Sequence, residues 1–417
     1  MASVIRRLRD FNTGRDPERL AMKYSRMRES PFVFLRGTCH LFYGHLTDGG
    51  LLRSAPPAWI SGDLHLENFG SFKGDNRLVY FDINDFDEAA LAPASWDPVR
   101  LLTSVRVGAD SFASKLSDAQ IQALCGSFLD AYAEALALGK SRWIERDTAQ
   151  GIIRKLLDGL RQRTRVQLLR GYTDVNGDRR RLRLDGQKAL AVSDPQRGSI
   201  TKLMKAFADE QPDPDFYRVV DVARRIAGTG SLGVVRYVIL VEGKVSPRGI
   251  YLLDLMQALP SSLTPYLKAP QPKWTSQAHR VVTLQWRIQA AAMAFLQPLQ
   301  IGDDSYVLRA LQPSEDRIDL VRRRRPLKAL QLLLAEMGRL VAWAQLRGAG
   351  REGSAIADEL IGFARRSKWK AQLLNASEAC AAEVHKDWKA FSAAYDKGAF
   401  ESPASVSKAG VRTVGRR

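Results

Sequence analysis

Hydrophobic residues recur along the chain at two spacings, one typical of helices and the other typical of strands. Ile121, Leu124, Phe128 and Tyr132 follow one another at steps of three and four residues. This spacing places apolar side chains on one face of a helix, so we expect a largely helical region from about residue 97 to residue 169.

Shorter apolar runs bounded by turn residues predict strands. The run Leu78–Phe81 follows a Lys-Gly-Asp-Asn turn, and this pattern predicts a β-hairpin. β-branched and aromatic residues predict further strands between residues 219 and 256. The other expected elements are a strand at 58–60 and helices at 17–27, at 327–346 and onward to about residue 395.

Two stretches lack such a pattern. Residues 170–215 are polar and basic, and we expect them to form a mobile insert or a connector between two lobes. Residues 401–417 are rich in Ser, Gly, Lys and Arg, a composition that predicts a disordered basic tail.

Composition narrows the class of protein. Of the 417 residues, 45% are hydrophobic and 26% are charged, which excludes a disordered, collagen-like or coiled-coil chain. The three cysteines lie far apart without a CxxC pair, so we expect neither a disulfide scaffold nor a zinc cluster. The same pattern indicates a protein of a reducing compartment. We find no signal-peptide core and no apolar run of about 18 residues, and therefore expect a soluble, cytoplasmic protein without a membrane span.

The net charge of +18 favours an anionic partner: nucleic acid, acidic lipid or a phosphorylated ligand. The run Arg322–Arg325, followed by Lys328, is either a solvated face or an anion site for nucleic acid or a polyanionic substrate. No RNA- or DNA-binding signature accompanies it.

Three segments carry candidate chemistry, and the first is Ser61–Gly70, which follows a short apolar strand. Its Asp63 and Asn68 are five residues apart. A loop of this length can turn a carboxylate toward a hydroxyl proton and an amide oxygen toward a metal ion. An Asx-rich turn that ends in glycine would contain the same residue types.

The second segment ends an apolar strand with four acids: Asp82, Asp85, Asp87 and Glu88. Clustered carboxylates repel one another unless a cation or arginines neutralise them. Oxygen ligands of this kind suit Mg²⁺, which also binds substrate phosphates. A solvated acidic turn, or a structural partner for arginines, would show the same pattern.

The third segment is the glycine-rich run Gly228–Gly233, a GxGxxG pattern followed by residues typical of a strand. A dinucleotide-binding fingerprint would require a helix after the glycines. A glycine loop between two strands is the arrangement that covers nucleotide phosphates in kinases. A simple hairpin turn is the alternative.

These segments resemble the motifs of known kinases. Gly62–Asn68 is similar to the catalytic loop Gly-Asp-x-His-x-x-Asn of aminoglycoside and choline kinases, and Asp85–Ala89 is similar to their metal-binding Asp segment. Trp96–Leu101 is similar to the start of the helix that follows. From about residue 10 to residue 395, the chain resembles the bacterial family called domain of unknown function 2252.

The resemblance assigns expected roles to individual residues. Asp63 would be the catalytic base. His65 is the second catalytic candidate, although a role in orienting the loop is the more plausible one. Magnesium would be held by Asn68, Asp85 and Asp87, and Asp97 would brace the catalytic loop. The nucleotide would contact Gly228, Gly230, Ser231, Gly233 and Arg36.

The chain departs from ordinary kinases in two respects. The glycine loop follows the catalytic loop instead of preceding it, which a circular permutation would explain. The Lys-Glu-Ala expected after the glycine loop is Met256-Gln257-Ala258, and methionine cannot pair with phosphate. Arg36 is the first candidate to replace the lysine, and the others are Arg236, Lys244 and Arg309.

We therefore expect an α+β, two-lobed kinase-like fold in permuted order. The expected units are an N-terminal segment at 1–55, a helical lobe at 56–200 completed by helices at 316–400, and a sheet-rich lobe at 215–315. The expected activity is Mg²⁺- and ATP-dependent transfer of a phosphoryl or nucleotidyl group to an unidentified acceptor. An anionic acceptor would suit the positive net charge of the protein. The alternatives are a catalytically weakened nucleotide-binding regulator and a nucleic-acid-binding protein.

Overall fold

A computed structural model describes residues 3–46, 54–177, 179–244, 249–311, 317–320 and 323–400. The described chain is a mixed α/β protein with thirteen α-helices and several antiparallel sheets. The helices are α1 (Val4–Phe11), α2 (Pro17–Glu29), α3 (Pro31–Gly37), α4 (Cys39–His45), α5 (Trp96–Gly108), α6 (Asp118–Leu138), α7 (Gly151–Arg161), α8 (Arg165–Arg170), α9 (Asp194–Asp209), α10 (Gln277–Ile288), α11 (Leu327–Gly348), α12 (Ala357–Ala364) and α13 (Trp369–Asp396).

Thirteen strands accompany these helices in the described residues. They are β1 (Pro57–Ile60), β2 (Phe69–Lys73), β3 (Val79–Ile83), β4 (Ala90–Pro93), β5 (Ile144–Glu145), β6 (Thr173–Asn176), β7 (Arg179–Leu182), β8 (Ala189–Leu190), β9 (Val219–Arg225), β10 (Arg236–Val241), β11 (Tyr251–Gln257), β12 (Gln297–Ile301) and β13 (Asp304–Ala310). The largest sheet has six strands in the order β12-β13-β11-β10-β9-β8, and every neighbouring pair is antiparallel. The smaller sheets are β2-β3-β5, β1-β4 and β6-β7.

The helical core is built around α6 and α11, which pack closely along their lengths. A side chain at Gly338 of α11 would place its Cβ 2.3 Å from the carbonyl oxygen of Phe128 in α6, so this close approach requires glycine. A capping box of Ser117 and Gln120 begins α6, and Gly139 ends it at φ 67°. The periodicity predicted this helix correctly.

The expected hairpin is confirmed, since β2 and β3 pair antiparallel with Lys73 opposite Val79. Strands β9, β10 and β11 confirm the expectation for residues 219–256, and α11 and α13 confirm the C-terminal helices. The expected disordered tail at 401–417 lies outside the described residues.

The prediction of a mobile insert or connector at 170–215 is wrong. The described part of this stretch forms the hairpin β6-β7, the edge strand β8 and the helix α9. Ile200, Met204 and Phe207 of α9 lie in the same buried cluster as Ile239 and Leu253 of the six-stranded sheet. Three apolar residues spaced along one helix face were enough to order a segment whose average composition is polar.

The N-terminal helices pack on the helical core and on the last helix. Trp388 of α13 donates its indole N–H to the carbonyl of Met27 at 3.1 Å, and Arg28 pairs with Asp396 at 2.9 Å. The three cysteines are free and buried. Among the helices that the structure describes, none has both the length and the hydropathy to cross a membrane.

Candidate functional site

The loop after β1 is held at its start by a carboxylate from α5. Asp97 accepts backbone N–H groups from Ser61 at 2.8 Å and from Gly62 at 3.0 Å, and it also accepts the Ser61 hydroxyl at 3.2 Å. Burial raises the pKa of Asp97 to about 6, although these three donors favour its charged form. Asp97 thus lies where the expected brace would be.

Gly62 sets the direction of the same loop. Its φ is +84°, and a Cβ at this position would lie 2.3 Å from the carbonyl oxygen of Glu88. Any L-residue with a side chain would clash with that carbonyl and strain the backbone. The catalytic-loop candidate and the acidic segment are therefore in direct backbone contact.

Asp63 is partly buried, with 19% of its side chain exposed, and it forms an ion pair that its sequence neighbours did not predict. Arg100 of α5, itself fully buried, donates from Nε to Asp63 Oδ1 at 2.8 Å, and its Nη2 contacts the same oxygen. Burial raises the pKa of Asp63 to about 7; Arg100 opposes this shift, whereas Glu88 and Asp85 add to it. A carboxyl group with this pKa can accept or release a proton near neutral pH.

The next two polar residues of the loop have different surroundings. Asn68 donates its amide N–H to the Asp63 carbonyl at 2.6 Å, which leaves its amide oxygen as an acceptor. His65 Nδ1 accepts the backbone N–H of Glu67 at 3.2 Å, so the ring proton is on Nε2. Burial, followed by the charges of Arg36 and Arg100, holds the pKa of His65 well below its ordinary value. A neutral His65 fits an orienting role.

The acidic segment divides into two parts with different partners. Asp82 is fully buried and pairs with Arg347 of α11 at 3.2 Å, away from the loop. Asp85, Asp87 and Glu88 line one cleft together with Asp63. Burial and, to a smaller extent, the charge of Asp85 raise the pKa of Asp87 to about 7.

Glu88 is anchored on the segment that follows β11. Its carboxylate accepts the Ser261 hydroxyl at 3.0 Å and the Ser262 backbone N–H at 2.5 Å. This contact joins the acidic segment to the sheet-rich part of the molecule. Sequence reasoning missed both serines because they lie more than 170 residues away in the chain.

The glycine-rich segment connects β9 to β10, as its sequence predicted. Gly228, Gly230 and Ser231 line the cleft that contains Asp63, whereas Gly233 does not line it. The position that a Cβ would occupy at Gly230 lies 4.0 Å from Asp63 Oδ2. Gly233 packs against Arg15 instead.

Three basic residues of the N-terminal segment hold the carbonyls of this glycine loop. Arg15 donates to Gly230 O at 2.6 Å and to Leu232 O at 3.0 Å. Lys23 donates to Gly230 O at 3.0 Å, and Arg26 donates to Gly228 O at 3.0 Å. No short-range signal in the sequence predicts these bonds.

Lys23 is a residue of α2, and its side chain is fully buried in the protein. Its ammonium also donates to Asn12 Oδ1 at 2.9 Å. Burial, followed by the charge of Arg15, holds its pKa well below the ordinary value, while Asp63 and Glu88 oppose this shift. A buried amine this close to the two carboxylates contributes to the electrostatics of the cleft.

The proposed substitutes for the missing lysine are in different places. Arg36 lines the cleft and pairs with Glu67 at 2.9 Å. Arg236 and Arg309 are engaged, together with Arg225, by the single buried carboxylate of Asp254. Lys244 lines a separate cavity beside β2 and α8.

The cleft has a volume of about 290 Å³. It brings together residues from α1 to the segment after β13, including Met256 at the end of β11 and Arg317. Nine of the predicted site residues line it: Arg36, Asp63, His65, Asn68, Asp85, Asp87, Gly228, Gly230 and Ser231. Asp97 lies behind its wall and supports the backbone of Ser61 and Gly62.

Comparison with known proteins gives one match. A model of the family described as "uncharacterized protein conserved in bacteria" (DUF2252) matches residues 15–394, and this confirms the family resemblance found in the sequence. No curated protein and no solved structure matches the chain.

Proposed function

The chain belongs to the bacterial DUF2252 family, and we propose that it is a Mg²⁺- and ATP-dependent phosphotransferase with its active site in this cleft. One observation carries the proposal: three segments, each with its own resemblance to a kinase motif, line one cavity, although the glycine-rich segment is remote from the other two in the chain. A solvated acidic turn or an isolated hairpin turn would have no reason to face a buried Asp-Asn loop.

The residues present fit a magnesium ion. Asp85, Asp87 and the free amide oxygen of Asn68 supply hard oxygen donors in one cleft, which is the donor set that Mg²⁺ prefers. In protein kinases the metal ions are held by the equivalent pair, an Asp after a strand and an Asn of the catalytic loop. When bound, Mg²⁺ would neutralise charge on phosphate oxygens.

The residues also fit phosphate groups. Arg15, Arg36 and Arg317 line the cleft, and the backbone of Gly228–Ser231 borders it. Cations and backbone N–H groups are the usual partners of phosphates. The volume of about 290 Å³ lies at the low end of ligand-site volumes.

This chain's own residues divide the work as follows. Asp63 accepts the proton of the acceptor hydroxyl at a carboxylate oxygen, and Arg100 holds that carboxylate in place from behind. His65 and Asp97 fix the loop that carries Asp63. Arg36 and Arg15 lie where they can stabilise negative charge on the transferred group.

The order of elements in the sheet supports the permuted kinase-like arrangement. The glycine loop joins β9 to β10, and β11 follows, with Met256 opposite Arg236 at the start of β10. Helix α10 comes after β11. In protein kinases the phosphate-binding lysine likewise lies on the second strand after the glycine loop, and it pairs with a glutamate of a helix. Met256 occupies the end of the corresponding strand.

A thermal-shift titration tests the proposal. At a concentration 100-fold above its Kd, Mg-ATP should stabilise the protein by about 2.7 kcal/mol. ATP with EDTA should give a smaller shift, because the phosphate charges then face the carboxylates without a metal. No shift with any nucleotide, with or without Mg²⁺, would rule out the proposed function and favour the nucleic-acid alternative.

Two substitutions separate the roles. Asp63→Asn should retain nucleotide binding and lower turnover by about 10²–10⁴-fold, the usual range for a general base. Asp85→Asn should weaken Mg²⁺-supported binding itself. Asp303→Asn, an exposed carboxyl in the turn between β12 and β13, is the control. Equal losses of nucleotide affinity in both cleft variants would contradict this division. Release of ADP indicates phosphoryl transfer, whereas release of pyrophosphate indicates nucleotidyl transfer.

A catalytically weakened nucleotide-binding regulator is the second candidate, and Met256 in the cleft favours it. If Arg36 supplies the missing cation, Arg36→Ala should lose nucleotide affinity and Met256→Lys should be neutral or partly compensating. Lys244→Ala is the matched control, since Lys244 lies outside the cleft. Normal nucleotide binding by Arg36→Ala, combined with a lower melting temperature, would make Arg36 a structural residue and favour the regulator.

A further inference from the structure

Three metal-ligating side chains meet outside the cleft, where the end of α4 lies beside α13. His45 Nε2 lies 2.6 Å from Asp387 Oδ2, and His45 Nδ1 lies 3.9 Å from Glu383 Oε2. One ligand atom from each of the three residues can be chosen so that all lie within 4.8 Å of one another. The nucleotide cleft shares none of these residues.

The framework behind this cluster is rigid. Glu383 and Asp387 are four residues apart on α13, so their side chains lie on the same helix face, one turn apart. His45 is the last residue of α4, which is buried along most of its length. The side chain of Asp387 is 6% exposed, that of His45 is 18% exposed and that of Glu383 is 40% exposed. The cluster is thus fixed on its inner side and open to solvent through Glu383.

We propose that His45, Glu383 and Asp387 bind a divalent transition-metal ion of the Zn²⁺ class. One imidazole nitrogen and two carboxylates form a donor set that Zn²⁺ uses, and a fourth position would be left for water. Ligands about 2.1 Å from a tetrahedral ion are about 3.4 Å from one another. The observed separations require two changes. The 2.6 Å contact between His45 Nε2 and Asp387 Oδ2 must open to about 3.4 Å, and the exposed Glu383 side chain must rotate toward the coordinating nitrogen. Coordination replaces the His45–Asp387 hydrogen bond and releases any proton on the coordinating nitrogen.

The second carboxylate distinguishes this cluster from a simple ion pair. His45 and Asp387 alone would satisfy each other, yet Glu383 is directed to the same imidazole. Lys386 pairs with Glu383 at 3.2 Å. Because the Lys386 side chain is 73% exposed, this ion pair contributes little to the neutralisation of Glu383. A site with two carboxylates and one imidazole retains excess negative charge, which a divalent ion neutralises.

The imidazole also separates this site from the magnesium ligands of the cleft. Mg²⁺ prefers oxygen donors in octahedral geometry, whereas imidazole suits Zn²⁺, Cu²⁺ and Ni²⁺. The inference does not depend on the proposed phosphotransferase activity. A bound ion would link the N-terminal segment, which carries Arg36 and contacts the glycine loop, to the last helix.

Zinc titration of the full chain, stripped with a chelator and dialysed into excess Mg²⁺, tests the proposal. We expect one Zn²⁺ per chain, measured by competition with a chromophoric chelator, and a rise in melting temperature on binding. His45→Ala and Glu383→Gln should each weaken Zn²⁺ affinity by at least about 100-fold, since loss of a ligand exceeds the 10–100-fold effect of outer-shell changes. His385→Ala is the matched control, because it also removes an imidazole from α13, at a position between Glu383 and Asp387 in the sequence.

The outcomes are distinct. Absence of Zn²⁺ binding by the unmodified protein, or equal binding by Glu383→Gln, overturns the proposal. Glu383 is exposed enough for that variant to fold, which circular dichroism checks, so it decides the result even if His45→Ala does not fold. Equal losses in His385→Ala and His45→Ala would indicate adventitious surface binding and would also overturn the proposal.

Discussion

Asp63 combines three properties that rarely occur in one carboxylate. It is partly buried, it is paired with Arg100, and its pKa is nevertheless raised to about 7, because desolvation and the nearby charges of Glu88 and Asp85 outweigh the arginine. A carboxyl group of this kind is costly to keep ionised. Such costs are concentrated at functional sites, where a proton must be taken up near neutral pH.

The stability of the metal-free protein should depend on the charge of Asp63. Its pKa rises from about 3.9 in the unfolded chain to about 7 in the folded one. The folded state therefore binds the proton more tightly, and this contribution to stability is complete below about pH 4 and is lost as the pH rises through 7. In EDTA, the melting temperature should fall more steeply from pH 5 to pH 8 in the unmodified protein than in Asp63→Asn.

The slope is the relevant quantity here, because Asp63→Asn also leaves Arg100 without its carboxylate and lowers the melting temperature at every pH. The difference in slope should correspond to a few degrees. Asp303→Asn should keep the original slope. Parallel pH curves for the unmodified protein and Asp63→Asn would show that Asp63 is already ionised throughout this range.

At the scale of secondary-structure elements, the glycine loop is the feature with the most unusual support. Its backbone carbonyls are bonded by Arg15, Lys23 and Arg26, so its backbone is held by the N-terminal segment. Arg15→Met removes two of these bonds, each to a charged donor.

Arg15→Met should destabilise the protein by about 2 kcal/mol, and amide hydrogen exchange should rise at 228–233 before it rises in β10. Arg6→Met, at an exposed position of α1, is the control. If exchange in the glycine loop stays unchanged in Arg15→Met, the loop is held by its own turns and not by the N-terminal segment.

The six-stranded sheet contains a buried carboxylate that pairs with three arginines. Asp254 of β11 holds Arg225, Arg236 and Arg309 from the neighbouring strands, and these charges hold its pKa well below the ordinary range despite burial. Three arginines share one carboxylate, so its removal leaves uncompensated charge in the interior.

Asp254→Asn should therefore lower the free energy of unfolding by about 3–5 kcal/mol in urea denaturation. The control is Asp174→Asn, which also breaks an Asp-Arg pair but at a position that is 62% exposed. That change should cost less than about 1 kcal/mol. Equal costs for the two variants would mean that the arginine cluster is neutralised by other groups.

The sequence indicated most elements correctly, and the reasons differ between elements. Helix α11 and the β2-β3 hairpin follow from local periodicity and turn residues, which are readable in a short window. Helix α9 was missed because the average composition of its surroundings is polar, although Ile200, Met204 and Phe207 form an apolar face. For the site, motif spacing identified Asp63, Asn68 and Asp85, since these residues act within short loops.

The partners of those residues could not be predicted. Arg100, Lys23 and Ser261 meet the cleft only through tertiary packing, and no spacing rule relates positions that belong to different elements. The same limit explains why the sequence could not separate Arg36, which lines the cleft, from the other candidates to replace the missing lysine. Arg236 and Arg309 are bound by Asp254, and Lys244 lines another cavity.

For the molecule as a whole, the net charge of +18 provides a test of the nucleic-acid alternative. Binding that results from net charge alone releases counterions, so affinity for a labelled oligonucleotide should fall by orders of magnitude between 50 mM and 200 mM salt. In fluorescence anisotropy, we expect this loss of affinity with salt and no preference for one oligonucleotide sequence over another. Affinity that persists at 200 mM salt and differs between sequences would instead favour a nucleic-acid-binding function.

The bonds between the N-terminal segment and the glycine loop also impose an order on biosynthesis. Lys23 and its acceptor Gly230 are 207 residues apart, and Arg15 is 215 residues from the same carbonyl. At 5–20 residues per second, a ribosome needs about 10–40 s to add that length of chain. Throughout this interval the side chains of Arg15 and Lys23 are without these glycine-loop acceptors. Closure of the molecule is consequently a late, long-range step, and contacts of this separation make folding slow. The Ser61–Gly70 segment is made early, whereas the glycine loop that lines the same cleft is made only later.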